Sequence, residues 1–208
     1  GSVTLLPGLS LELQIAMIDV GTGTFFDALG TPEQPVVITS VRSDRTGAGA
    51  SHLGERQTDQ DNDLEENLYP DCDAIGCTVT ALGNAGYEDW GGIRFNHGSR
   101  GEFDSTEIAF GGGSVPFAGE NRPFNMIEVI GRPTAATPQP TYVNFRNSEL
   151  HHASGAAIWV ETGEINLTGN FIHDTRHANH GEFPGEAERL DRNVGAAVSL
   201  DPNTLDTD

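Results

Sequence analysis

The chain has 208 residues and a formal net charge of −20, from 31 Asp+Glu against 11 Lys+Arg, and every one of those bases is arginine. Such a surface repels nucleic-acid phosphates and anionic membranes, which argues against both as partners. Hydrophobic residues make up 36% and glycine numbers 26, a balance that suits many tight corners around a narrow core. No stretch keeps helical apolar spacing beyond a turn or two, and no apolar run is long enough to cross a membrane.

In chain order, Val3-Thr4-Leu5 and the apolar run 9–15 are split by the turn signal Pro7-Gly8. Strand-like segments 17–20 and 25–29 follow, separated by Gly21-Thr22-Gly23. Gly30-Thr31-Pro32-Glu33-Gln34-Pro35 then turns the chain into the β-rich Val36-Val37-Ile38-Thr39-Ser40. Beyond it the segments around 93, 127, 158 and 198 alternate apolar and other residues. Strand period two sends Ile93/Phe95, Ile127/Val129, Ile158/Val160 and Val198/Leu200 inward, and Arg94, Glu128, Trp159 and Ser199 outward in one column.

Within 142–200 the chain repeats. Val143-Asn144-Phe145 matches Ile165-Asn166-Leu167, and Leu150-His151 matches Ile172-His173, each pair 22 positions apart (143 to 165, 150 to 172). Gly155-Ala156-Ala157-Ile158-Trp159-Val160 matches Gly195-Ala196-Ala197-Val198-Ser199-Leu200 at an offset of 40 (155 to 195), with polar residues filling the difference. A register kept across short apolar triplets and broken by one polar insertion predicts stacked coils with a side loop. Three inward columns are expected, the second from Val143/Phe145 and Ile165/Leu167 and the third from Leu150 and Ile172. That is an all-β parallel solenoid with three strand columns rather than a sandwich of antiparallel hairpins. A single domain over 1–208 is expected, interrupted at about 42–88, 112–140 and 176–193. Residues 112–124 and 131–140 are the loop portions of the second interruption, and the chain reads as a piece of a longer one.

Gly-Thr-Pro-x-x-Pro-Val-Val-Ile-Thr-Ser at 30–40, Asp89-Trp90-Gly91-Gly92-Ile93, and Gly195-Ala196-Ala197-Val198-Ser199-Leu200-Asp201-Pro202-Asn203 resemble the right-handed parallel β-helix modules of large secreted bacterial surface proteins. The resemblance covers nearly the whole chain outside the loops. It implies a right-handed β-helix at a cell surface, and says little about activity because fold alone does not confer function.

Long insertions on a repeat scaffold are where function is expected. In the first, Asp59, Asp61 and Asp63 alternate on a loop and offer the hard oxygen ligands that calcium takes, or form a solvated acidic loop; Leu64 in place of a glycine excludes an EF-hand. Cys72 and Cys77 suit a disulfide closing a small loop in an oxidising compartment, with free thiols as the alternative. The offset of 22 stacks His151 over His173 and His152 over Asp174, near His177 and His180. These side chains could bind a transition metal or supply a base, or else form a polar ladder at a coil corner. Asn144 over Asn166 predicts an asparagine ladder along the stack.

Polysaccharide lyases and hydrolases of β-helical form work on an outer strand face. Here Arg94, Glu128 and Trp159 are the ligand-binding candidates, with Trp159 stacking on a sugar ring. Asp104 and Glu107 are placed on the preceding strand, and Glu107 with Glu128 is the weak candidate acid–base pair. No Gly-x-Ser-x-Gly context or phosphate-cradling loop is present. The expectation is therefore a non-catalytic extracellular structural or adhesion module, self-associating end to end into a layer or fibre. Its partners would be further copies of itself or its parent protein, or glycans, and calcium is the implied ion. The alternative is a carbohydrate-binding or polysaccharide-degrading β-helix.

Overall fold

A computed structural model of the chain describes residues 1–40, 90–131, 139–173, 175 and 198–200. The described residues contain strands and no helix. The first turn of the chain comprises β1 (Val3–Leu5), β2 (Ser10–Leu13) and β3 (Met17–Val20). The second comprises β4 (Phe25–Leu29), β5 (Val36–Ser40) and, after residue 89, β6 (Gly92–Phe95). In the third, β7 (Arg100–Asp104) and β8 (Thr106–Ala109) precede a hairpin of β9 (Ser114–Phe117) and β10 (Glu120–Pro123), and β11 (Ile127–Val129) completes it. The fourth is β12 (Tyr142–Arg146), β13 (Glu149–His151) and β14 (Ile158–Val160). The fifth is β15 (Glu164–Thr168), β16 (Phe171–His173) and β17 (Val198–Leu200).

Corresponding strands of successive turns pair in parallel. They form three five-stranded sheets: A (β1-β4-β7-β12-β15), B (β2-β5-β8-β13-β16) and C (β3-β6-β11-β14-β17). This is an all-β arrangement of parallel strands in stacked sheets, compatible with a β-solenoid. The repeat offsets are its registers: Val143 pairs with Ile165, His151 with His173, and Ile158 with Val198.

The core is the stack of inward columns. Ile93, Ile127 and Ile158 in sheet C, Ile38, Ile108 and Leu150 in sheet B, and Phe103, Val143 and Phe145 in sheet A are all buried. Phe103 and Phe145 are stacked at 4.3 Å between ring centroids, and Phe95 meets Phe103 edge-on at 6.0 Å. Gly101 stands at an inward position of β7, where an added Cβ would lie 2.6 Å from the Phe95 ring. The missing side chain makes room for the aromatic pile. Leu167, expected inward beside Phe145, is instead 39% exposed, because β15 is the outermost strand of sheet A.

Corners between sheets A and B are tight because their residues adopt the left-handed conformation, at Ser105 (φ 47°), Asn147 (φ 49°) and Gly169 (φ 68°) in successive turns. Asparagine and glycine tolerate this geometry best. Ser105 also corrects one expectation: Asp104 and Glu107 do not share a strand, since the chain bends between them from sheet A into sheet B.

Residues 41–89, the β9–β10 hairpin and residues 174–197 all connect sheet B to sheet C. The second interruption, expected as loop at 112–124, contains the antiparallel hairpin, in which Phe117 pairs with Glu120.

Candidate functional site

The column Arg94, Glu128, Trp159 exists as expected on the outer side of sheet C, in consecutive register, and the Ser199 backbone pairs next to Trp159. Its environment differs from an open groove. The β9–β10 hairpin folds back so that the Arg94 guanidinium lies over the Phe117 ring at 5.3 Å, with Arg122 over the same ring at 5.7 Å. Glu128 is left only 8% exposed, and Arg94 Nε is buried with no hydrogen-bond partner among the described residues. The Asn125 backbone N–H and side-chain amide donate to Glu128 Oε1 at 3.1 and 3.3 Å. Burial pushes the Glu128 carboxyl above its ordinary range, against the opposing pull of these donors and of Arg94 and Arg122. Trp159 is half-buried. The candidate pair Glu107 and Glu128 is divided between sheets, Glu107 on β8 in B and Glu128 on β11 in C, and each carboxylate has its own partners.

The second constellation is on the outer side of sheet B. Inward Ile108, Leu150 and Ile172 place Glu107/Glu149 and Ala109/His151/His173 in two outward columns. Each imidazole reaches one turn back: His151 Nε2 is 3.0 Å from Glu107 Oε1, and His173 Nε2 is 2.9 Å from Glu149 Oε1. The His151 and His173 rings stack at 5.2 Å and 10°. His151 also meets the next residue, His152, Nδ1 to Nδ1. Both are buried, at 5% and 8% exposure. Asp174, expected beneath His152, lies outside the described residues, as do His177, His180, the carboxylates Asp59, Asp61 and Asp63, and the pair Cys72 and Cys77.

Sheet A carries a third polar face. One outward column runs Thr4, Asp27, Glu102, Asn144, Asn166, beside a second running Phe25, Arg100, Tyr142, Glu164. Asn144 and Asn166 are in register as expected, but their amides donate elsewhere, to Glu102 Oε2 at 2.8 Å and to the Tyr142 hydroxyl at 3.0 Å. For Asn144 the charged Glu102 carboxylate is a stronger acceptor than a neighbouring amide. Arg146 lies 3.2 Å from Asp104 and 4.0 Å from Glu102. Desolvation raises the Asp27 carboxyl above its usual range, a backbone hydrogen bond from Glu102 lowers it, and the adjacent Glu102 charge raises it further.

No protein-family model, curated protein or solved structure matches the chain. The chemistry therefore rests on these three faces.

The sequence alone did not flag Asp27 and Glu102. They lie 75 positions apart, and only the parallel pairing of β4 with β7 makes them neighbours. The insertion at 41–89 conceals this register, since the offset across it differs from that between later turns.

Proposed function

We propose that this chain is a non-catalytic extracellular structural or adhesion module. It is a right-handed parallel β-helix similar to those of large secreted bacterial surface proteins, and it associates end to end with other copies of itself or of its parent protein. Right-handedness is the strong preference of parallel strand–crossover–strand connections. The observation that carries the reading is the use made of the outer polar side chains: they bind one turn to the next. Glu107 holds His151, Glu149 holds His173, Glu102 holds Asn144, Asp104 holds Arg146, and Asp19 accepts from Asn96 at 2.6 Å. Carboxylates spent on turn-to-turn contacts stiffen a rod, and Glu128 is roofed rather than offered to a substrate. Among the described residues β1, β2 and β3 each pair on one side only, and Val3 and Leu9 beside them are exposed, which supports association through that edge.

Sedimentation velocity and negative-stain microscopy over a wide concentration range, with and without calcium, test the assembly. Monomers throughout would refute it. Release of oligosaccharides in a polysaccharide depolymerisation assay would refute the non-catalytic assignment.

One observation favours a second reading, glycan recognition. Phe25, 43% exposed, stands in the same column as Tyr142, alongside Asp27 and Glu102. Aromatic faces next to carboxylates and amides are what a sugar ring takes. A glycan array with the wild type and Phe25→Ala tests it: signals lost in the variant support this face, and signals equal in both rule it out.

A further inference from the structure

Two aromatic side chains stand in one outward column of sheet A, Phe25 on β4 and Tyr142 on β12, with Arg100 of β7 between them in register. Adjacent strands lie about 4.8 Å apart, so the two positions are separated by about 9.6 Å along the coil axis. Phe25 is 43% exposed. The Tyr142 hydroxyl accepts from Asn166 Nδ2 at 3.0 Å, which fixes the position of its ring. Among the described residues neither Phe25 nor Tyr142 meets another aromatic ring or lies under a guanidinium, and Arg100 is exposed with no ion pair.

The neighbouring column supplies acceptors. Asp27 Oδ1 accepts from the Glu102 backbone N–H at 3.2 Å, and Glu102 Oε2 accepts from the Asn144 amide at 2.8 Å. Asp27 Oδ2 and Glu102 Oε1 have no hydrogen-bond donor among the described residues. Sugar rings suit such a face: their C–H sides pack on aromatic rings, and their hydroxyls donate to carboxylates and accept from a guanidinium.

We propose that the outer face of sheet A binds a neutral, extended β-1,4-linked glycan along the coil axis, with one sugar ring on Phe25, the next over Arg100 and the third on Tyr142. The proposal rests on the glycan-recognition reading of this face and adds the direction, linkage and charge of the ligand. Direction follows from the column, which crosses the strands and so runs with the coil. Linkage follows from the spacing. In an extended β-1,4-linked chain successive rings are turned over, so the same face recurs at every second sugar, and that repeat matches two strand spacings. Charge follows from the surroundings: Asp27, Glu102 and Glu164 border the track, on a chain of net charge −20. They repel a polyuronate, whereas the hydroxyls of a neutral sugar donate to them.

The test uses the whole chain, titrated by calorimetry and by amide chemical shifts with β-1,4-linked gluco- and manno-oligosaccharides of increasing length. Oligogalacturonates serve as the anionic comparison. A disaccharide covers one ring, and a trisaccharide spans both. The expected result is a rise in affinity of roughly 3–10-fold from disaccharide to trisaccharide, the worth of one further stacked ring. That rise should vanish in Phe25→Ala, persist in Tyr142→Phe, where the ring remains, and match wild type in Phe171→Ala on sheet B. Equal affinity for the two lengths, or a rise that survives in Phe25→Ala, would overturn the axial placement. Tighter binding of the oligogalacturonates would overturn the neutral class. Phe25-dependent signals on a glycan array without binding of these oligosaccharides would overturn the proposal alone; no glycan signal of any kind would remove the reading beneath it as well.

Discussion

Replacing Phe103 by alanine tests whether the stacked turns form one cooperative core. The side chain is fully buried, stacked on Phe145 at 4.3 Å, edge-on to Phe95 at 6.0 Å and tilted against Phe26 at 6.1 Å. It therefore contacts aromatic rings from the turns on either side of its own. A buried Phe→Ala change costs about 3–5 kcal/mol through lost transfer free energy and residual cavity. Each oriented aromatic pair adds about 0.5–1.5 kcal/mol beyond burial, which puts this site near the top of that range, at about 4–5 kcal/mol. With a urea slope of about 2 kcal/mol/M, the unfolding midpoint should fall by roughly 2 M. Urea titration followed by tryptophan fluorescence reads this directly, since Trp90 is fully buried with its Nε1–H donated to the Ala109 carbonyl at 2.8 Å. Phe171, 62% exposed on β16, is the control, and its alanine variant should lie within about 0.5 kcal/mol of wild type. A Phe103→Ala cost below about 1.5 kcal/mol would refute the account, because it would mean the aromatic pile is not what joins the turns.

Three further outcomes are expected. Gly101→Ala introduces a methyl 2.6 Å from the Phe95 ring and 3.1 Å from Phe103, and should cost about 1–3 kcal/mol in the same titration. Asn147→Gly should be close to neutral, whereas Asn147→Val should cost about 1–2 kcal/mol, because only the valine is strained at φ 49°. Glu128 bears on pH. Its folded-state carboxyl titrates above the ordinary value of 4.5, so from that value upward the folded chain holds a proton that the unfolded chain has released. Its contribution to stability therefore falls as pH rises through that window and levels off above it. Thermal melts across this range should show Glu128→Gln gaining relative to wild type with rising pH; a difference independent of pH would contradict the assignment.

Register and sidedness were legible in the residues themselves. Pleating makes alternation a local property, so Ile127 and Val129 announce their inward direction from three residues of sequence, and the offset from Val143 to Ile165 is one turn of the coil. The partners of Glu128 were not legible. Its outward position follows from alternation, but its burial depends on a hairpin that pairs Phe117 with Glu120 and lays Phe117 under Arg94. The separation of Asp104 from Glu107 turns on a single left-handed residue, Ser105, and a serine carries little signal for that conformation. The histidines divide in the same way. Sequence periodicity placed His151 over His173, since both occupy one column of the repeat. It also set His152 over Asp174, but the His151–His152 contact forms between adjacent residues where the strand ends and the backbone turns left-handed. Periodicity determines what repeats along the coil; corners and insertions decide which outward groups meet, because those contacts depend on where the chain leaves its repeat.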